Sequence, residues 1–156
     1  MVVLICPERP WLLESSRWGS DVNDAEFKAQ RARIDALRKK WNRVLIPDGW
    51  QITWEFFNEP LDDGDYKPGS GKFISALAST TADWRYLEAT IRFDLRQIAE
   101  YTDEQIERVF VHECCHVLLS ETRAGRDVTA PEWLDHEERV ASTLANAFLE
   151  TVRAKT

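Results

Sequence analysis

Residues His112-Glu113-Cys114-Cys115-His116 set two imidazoles four positions apart, with a carboxylate beside the first. On a helix, at 100° per residue, positions i and i+4 share one face, about 6 Å apart along the axis. Two imidazoles so placed can chelate one zinc ion. Glu113 projects from the flank of that face. Zinc lowers the pKa of a coordinated water to around 7. The Glu113 carboxylate is then placed to take the proton as the water attacks a carbonyl. Cys114 points to the opposite side and Cys115 flanks the pair away from Glu113, so both thiols read as small buried apolar residues. A pattern of three fixed letters in five also arises by chance, on a core helix with two hydrogen-bonded histidines. Context favours the metal. The motif is embedded between Val109-Phe110-Val111 and Val117-Leu118-Leu119, apolar walls of the kind that hold ligands and limit solvent. Two of the chain's three histidines fall at this spacing.

An open zinc site needs a third protein ligand and a free fourth position. The run His136-Glu137-Glu138-Arg139 supplies candidates. From Glu138 the same-face positions are Ala141, Ser142 and Ala145, all small, which lets two helix backbones approach a shared ion. The Ser142 hydroxyl can also hydrogen-bond a ligand histidine. From Glu137 the same-face positions are Val140, Ala141 and Leu144, which are bulkier. Glu137 nonetheless points nearer the centre of the apolar stripe Val140, Leu144 and Phe148. Packing favours Glu138 as the third ligand, with Glu137 as its rival. His136 reads as a solvated residue near a helix start, with a role as transition-state hydrogen-bond donor as the alternative.

The elements that must hold these groups read as one α+β unit spanning residues 1–156, with no internal repeat or linker to divide it. Residues 1–22 form an irregular N-terminal segment with a short β-like stretch, Val2–Cys6. From about Asp24 to Arg43, Phe27, Ile34, Leu37 and Trp41 recur at helical spacing, and Pro47, Asp48 and Gly49 end the helix. Trp50, Ile52, Trp54 and Phe56 then alternate with polar residues, as in a half-buried strand. Asn58 to Lys72 reads as a long polar loop, and its Asp62-Asp63-Gly64-Asp65 as a solvated turn that lacks the pattern of a calcium loop. Phe73–Ser79 is a further strand candidate, and Leu87, Ala89, Ile91, Phe93 and Leu95 mark another by alternation. Two helices close the chain, over 103–119 and 130–152. Each opens on a capping box, Thr102 with Gln105 and Thr129 with Glu132, and Gly125 lies between them.

Composition bounds the class. Seven tryptophans and seven phenylalanines give a large aromatic core for 156 residues, which argues against disorder. The run Val2–Cys6 is too short for a signal peptide or a bilayer span. Three cysteines, two of them neighbours, exclude a disulfide scaffold and point to a reducing compartment, hence the cytoplasm. A net charge of −7 argues against a chain devoted to nucleic acid or anionic membrane. The helix 24–43 is the exception, with seven basic residues against three acidic ones. It reads as a solvated face balanced against an acidic body, with a nucleic-acid or acidic-partner surface as the alternative.

The residues His112-Glu113-Cys114-Cys115-His116, with Glu138, Ala141, Ser142 and Ala145 on the following helix, make the sequence resemble the gluzincin branch of the zincin metallopeptidases. From about Trp50 to Phe148 the element order is similar to that of compact zincin-like proteins common in bacterial and phage genomes. The resemblance implies a minimal zincin-like domain, with a small mixed sheet packed on an N-terminal helix and the two C-terminal helices. It implies His112 and His116 as zinc ligands, Glu113 as general base and the downstream glutamate as third ligand. It also implies that the strand near Glu88–Asp94 binds an extended peptide by edge pairing. Tyr86, Tyr101, Arg92 and His136 are the candidates for stabilising the oxyanion. Two function classes follow. One is a zinc-dependent peptidase acting on a peptide or protein. The other is a binding or regulatory protein that keeps the fold without useful turnover and contacts nucleic acid or a protein through the basic helix. Retention of Glu113 favours the enzyme, because a structural site has no need of a base.

Overall fold

The computed structural model describes residues 23–58, 77–126 and 131–154. Readings that fall on residues 1–22, on most of the 58–72 loop including Asp62–Asp65, on Phe73 and on Thr129 lie outside them. Within the described residues the chain is α+β. Its order is α1 (Asp24–Leu45), β1 (Gln51–Phe57), β2 (Ala78–Asp83), β3 (Glu88–Asp94), a short α2 (Leu95–Ile98), α3 (Asp103–Leu119), a 3-10 turn (Ser120–Arg123) and α4 (Pro131–Arg153). No described helix is long and apolar enough to cross a membrane.

Local chemistry sets the ends of these elements. Asn23 caps α1 by accepting from the backbone N–H groups of Ala25 and Glu26. Gly49, at φ +92°, makes the turn into β1. The expected capping box opens α3: Thr102 Oγ1 accepts from Gln105 N, and Gln105 Oε1 accepts from Thr102 N.

The three strands form one sheet in the order β1-β3-β2. β1 runs parallel to β3 and β2 antiparallel to it. Register aligns Ile52, Trp54 and Phe56 with Ala89, Ile91 and Phe93, and Thr80 with Ile91, so these side chains share the core face. Three expectations change here. The second strand is Ala78–Asp83, further along than Phe73–Ser79; its Ser and Thr residues carry no apolar alternation because the core-facing Thr80 makes a polar contact. Leu87 and Leu95 fall outside the next strand, since Leu87 sits at φ 55° in the preceding turn and Leu95 begins α2. Finally, Glu88–Asp94 is the central strand, hydrogen-bonded on both sides, so it cannot take an added peptide. Among the described residues the open edges belong to β1 and β2.

α3 lies at the centre of the fold, between α1, β2 and α4. Every residue from Phe110 to Val117 is buried, as expected of a helix covered on all sides. Phe110 stacks on Trp54, with ring centroids 5.3 Å apart, and on Phe93 at 6.1 Å, which seats α3 on the sheet. On the opposite side, the buried Ala141 and Ala145 of α4 permit close approach to α3. The basic residues of α1 are largely engaged within the chain. Arg31 and Arg38 lie over the rings of Phe56 and Trp54. Arg33 donates to Asp103 and to the carbonyls of Ile98 and Tyr101, and Lys40 pairs with Glu107. Phe110→Ala is expected to cost about 3–5 kcal/mol of stability, as for other buried phenylalanines, read as a lowered denaturant midpoint.

Candidate metal centre

α3 and α4 bring His112, His116 and Glu138 together. One ligand atom from each lies within 4.8 Å of the others, and all three residues are buried. The i, i+4 spacing does what it implied, with the two Nε2 atoms 3.0 Å apart. Glu138 Oε2 lies 3.2 Å from His112 Nε2, and Oε1 lies 3.3 Å from His116 Nε2. Neither Glu138 oxygen nevertheless has a hydrogen bond of good geometry. Buried carboxylate oxygens without partners are costly. A cation between the three side chains would satisfy them.

The outer nitrogens of the imidazoles are held as metal ligands require. His116 Nδ1 lies 3.0 Å from Glu137 Oε1. A carboxylate only accepts, so Nδ1 carries a proton toward Glu137, and Nε2, which faces Glu138, becomes the ligand nitrogen once its own proton is displaced. Ser142 Oγ lies 3.4 Å from His112 Nδ1. Arg123, delivered by the 3-10 turn after α3, donates from Nη2 to Glu137 Oε1 at 2.6 Å and from Nε to Oε2 at 3.1 Å. The two glutamates therefore divide the work, Glu138 facing the inner nitrogens and Glu137 supporting a histidine from outside. Arg123 had no local signature, and only the long-range contact to Glu137 reveals it.

Glu113, only 2% exposed, sits beside this group. Thr80 of β2 donates to its Oε2 at 2.6 Å. Thr80 is the second residue that spacing did not reveal. Burial raises the Glu113 pKa, and the nearby histidines and the Thr80 hydroxyl offset only part of that rise. A carboxylate so shifted is suited to holding a proton during a reaction. Burial opposes charge on His116, but its hydrogen bond to Glu137 and its close contact with Glu138, with the charges of Glu113 and Glu138, raise its pKa to about 9. Burial likewise opposes charge on Glu137, yet its bonds to His116 and Arg123 lower it to about 2. The cluster of His112, His116 and Glu138 thus favours positive charge.

Cys114 and Cys115 are buried, and their thiol pKa values are raised by desolvation, Cys115 to about 12. They are apolar filling, as expected. Three of the four oxyanion candidates are exposed. Tyr86 is 72% exposed, Tyr101 is exposed, and His136 is exposed beside Arg139. Arg92 pairs with Glu55 away from the core face. Comparison with known proteins finds no match to this chain among family models, curated proteins or solved structures.

Two outcomes follow from the geometry. Glu138→Ala should abolish tight zinc binding in a titration, whereas Glu137→Ala should weaken it ~10-fold, as for an outer support. Below about pH 9 His116 carries a proton that an incoming ion must displace. Zinc uptake at pH 7 should therefore release about one proton from His116, and that release should fade above pH 9, as an indicator dye would register.

Proposed function

We propose that the protein is a zinc metallopeptidase of zincin type, using a minimal form of that domain. The observation that carries the reading is Glu113. This buried carboxylate is held by Thr80 and stands next to a buried His-His-Glu ligand set. A purely structural metal site fills its coordination with protein ligands and has no use for such a base.

His112, His116 and Glu138 would hold the zinc ion, leaving a fourth position open. When bound, zinc supplies Lewis-acid polarisation of a carbonyl and a water of lowered pKa. The remaining chemistry belongs to the chain. Thr80 pins Glu113 Oε2, which leaves Oε1 to receive the proton of the attacking water. The raised pKa of Glu113 lets it keep that proton until the leaving amine needs it. The apolar surroundings of α3 limit competing water.

A peptide is the favoured substrate because of where β2 lies. β2 carries Thr80 against Glu113, and its outer edge is open among the described residues. A peptide paired to that edge would run past the base, with main-chain hydrogen bonds fixing its register. This assigns to β2 the part that the resemblance to zincins implied for Glu88–Asp94.

Metal analysis of wild type beside Glu113→Gln tests the proposal. Wild type should carry close to one zinc per chain and cleave an unstructured protein such as casein. Glu113→Gln should keep the metal and the fold and lose at least about 100-fold in turnover, within the span for general-base loss. Equal cleavage by the two proteins would remove Glu113 from the mechanism. A wild type holding iron in place of zinc would overturn the metal assignment.

A further inference from the structure

Glu137 and Glu138 are adjacent on α4, and both carboxylates are buried within reach of the same histidine. Something must keep Glu137 on the outer nitrogen of His116 and away from the ligand cluster. Beside His116 itself, Arg123 meets Glu137. The contact is a fork, with Nε on Oε2 and Nη2 on Oε1, so both Glu137 oxygens are engaged and the carboxylate plane is set. Oε1 also faces His116 Nδ1, which makes a continuous chain from guanidinium to carboxylate to imidazole. The Arg123 side chain is itself only 11% exposed.

Charge gives a second reason. Glu113, Glu137 and Glu138 are three buried carboxylates set around the same two histidines. A divalent ion neutralises two of them and leaves one negative charge in a poorly solvated region. Arg123 neutralises the third. Without it, Glu137 would be drawn toward the ion as a further ligand, since a buried carboxylate seeks the nearest cation.

We propose that Arg123 is a positioning residue of the metal centre: it locks Glu137 onto His116 Nδ1, so that the ion takes Glu138 alone and keeps an open position. This rests on the metal-site reading above and not on hydrolysis. A mere fold staple would affect stability while leaving the ligand set unchanged, so the readouts are affinity and coordination.

The test titrates zinc and cobalt(II) into the metal-free full chain, wild type against Arg123→Gln, Arg123→Lys and the double variant Arg123→Gln/Glu137→Gln. Arg123→Gln should bind zinc 10- to 100-fold more weakly, the range for lost outer-sphere partners. Its cobalt absorption should fall in intensity as Glu137 joins the ion and coordination rises above four. Adding Glu137→Gln should restore the stronger four-coordinate band, because the freed carboxylate is gone. Arg123→Lys, which keeps charge but loses the fork, should bind several-fold more weakly than wild type. A folded Arg123→Gln with wild-type affinity and an unchanged cobalt spectrum would overturn the proposal. Should Arg123→Gln fail to fold, Arg123→Lys decides: weaker binding supports the fork, and wild-type binding overturns it. A wild type that takes up neither metal refutes the underlying site instead, a result distinct from either.

Discussion

Removing an ionised carboxylate from water costs several kcal/mol unless opposite charge and hydrogen bonds meet it inside. Three carboxylates, Glu113, Glu137 and Glu138, are buried close to the same two histidines where α3, α4 and β2 meet. Each is held differently. Glu137 is matched by Arg123 and His116, Glu113 by the Thr80 hydroxyl, and Glu138 only by two imidazole nitrogens at poor hydrogen-bonding geometry. Their shared demand for positive charge is met only if α4 lies close along α3. Ala141 and Ala145 make that approach possible, since larger side chains there would push the helices apart.

The remainder of the fold fixes α3, which carries His112, Glu113 and His116, against its neighbours. The stacked rings of Trp54, Phe93 and Phe110 pin its sheet side. Trp41, buried from α1, donates through Nε1 to Glu107 at 2.6 Å on the first half of the helix. Arg33 ties the same helix to the turn before α3. These contacts explain the use of so many basic residues on α1. Several serve as packing surfaces over aromatic rings or as pairs for acids on α3, roles in which the long apolar stem matters as much as the charge.

The site is also coupled to the sheet. Thr80 faces the core at a position where its register partner is Ile91, and its hydroxyl reaches Glu113. The base that the proposed chemistry needs is therefore oriented by the strand whose open edge would receive the peptide. Binding and proton transfer would share one structural element, an arrangement that favours correct alignment of the scissile bond.

The sequence by itself determined what depends on near neighbours. Helical periodicity placed α1, α3 and α4 within a few residues of their ends, and the Thr102–Gln105 box marked the start of α3. The i, i+4 spacing put His112 and His116 on one face, and the small residues at 141 and 145 marked the side on which Glu138 becomes a ligand candidate. Only the tertiary structure decided the partners that come from far along the chain. Thr80 meets Glu113 across 33 positions and His116 meets Glu137 across 21, and no local pattern encodes such pairs. Strand order is equally non-local: alternation marked Glu88–Asp94 as a strand, but its central place depends on which neighbours close around it. The strand expected at Phe73–Ser79 lies further along, at Ala78–Asp83, because Thr80 faces the core for a polar contact, which erases the apolar alternation that betrays a strand. Periodicity is a property of a segment, whereas a buried charge network is a property of the packing that brings segments together.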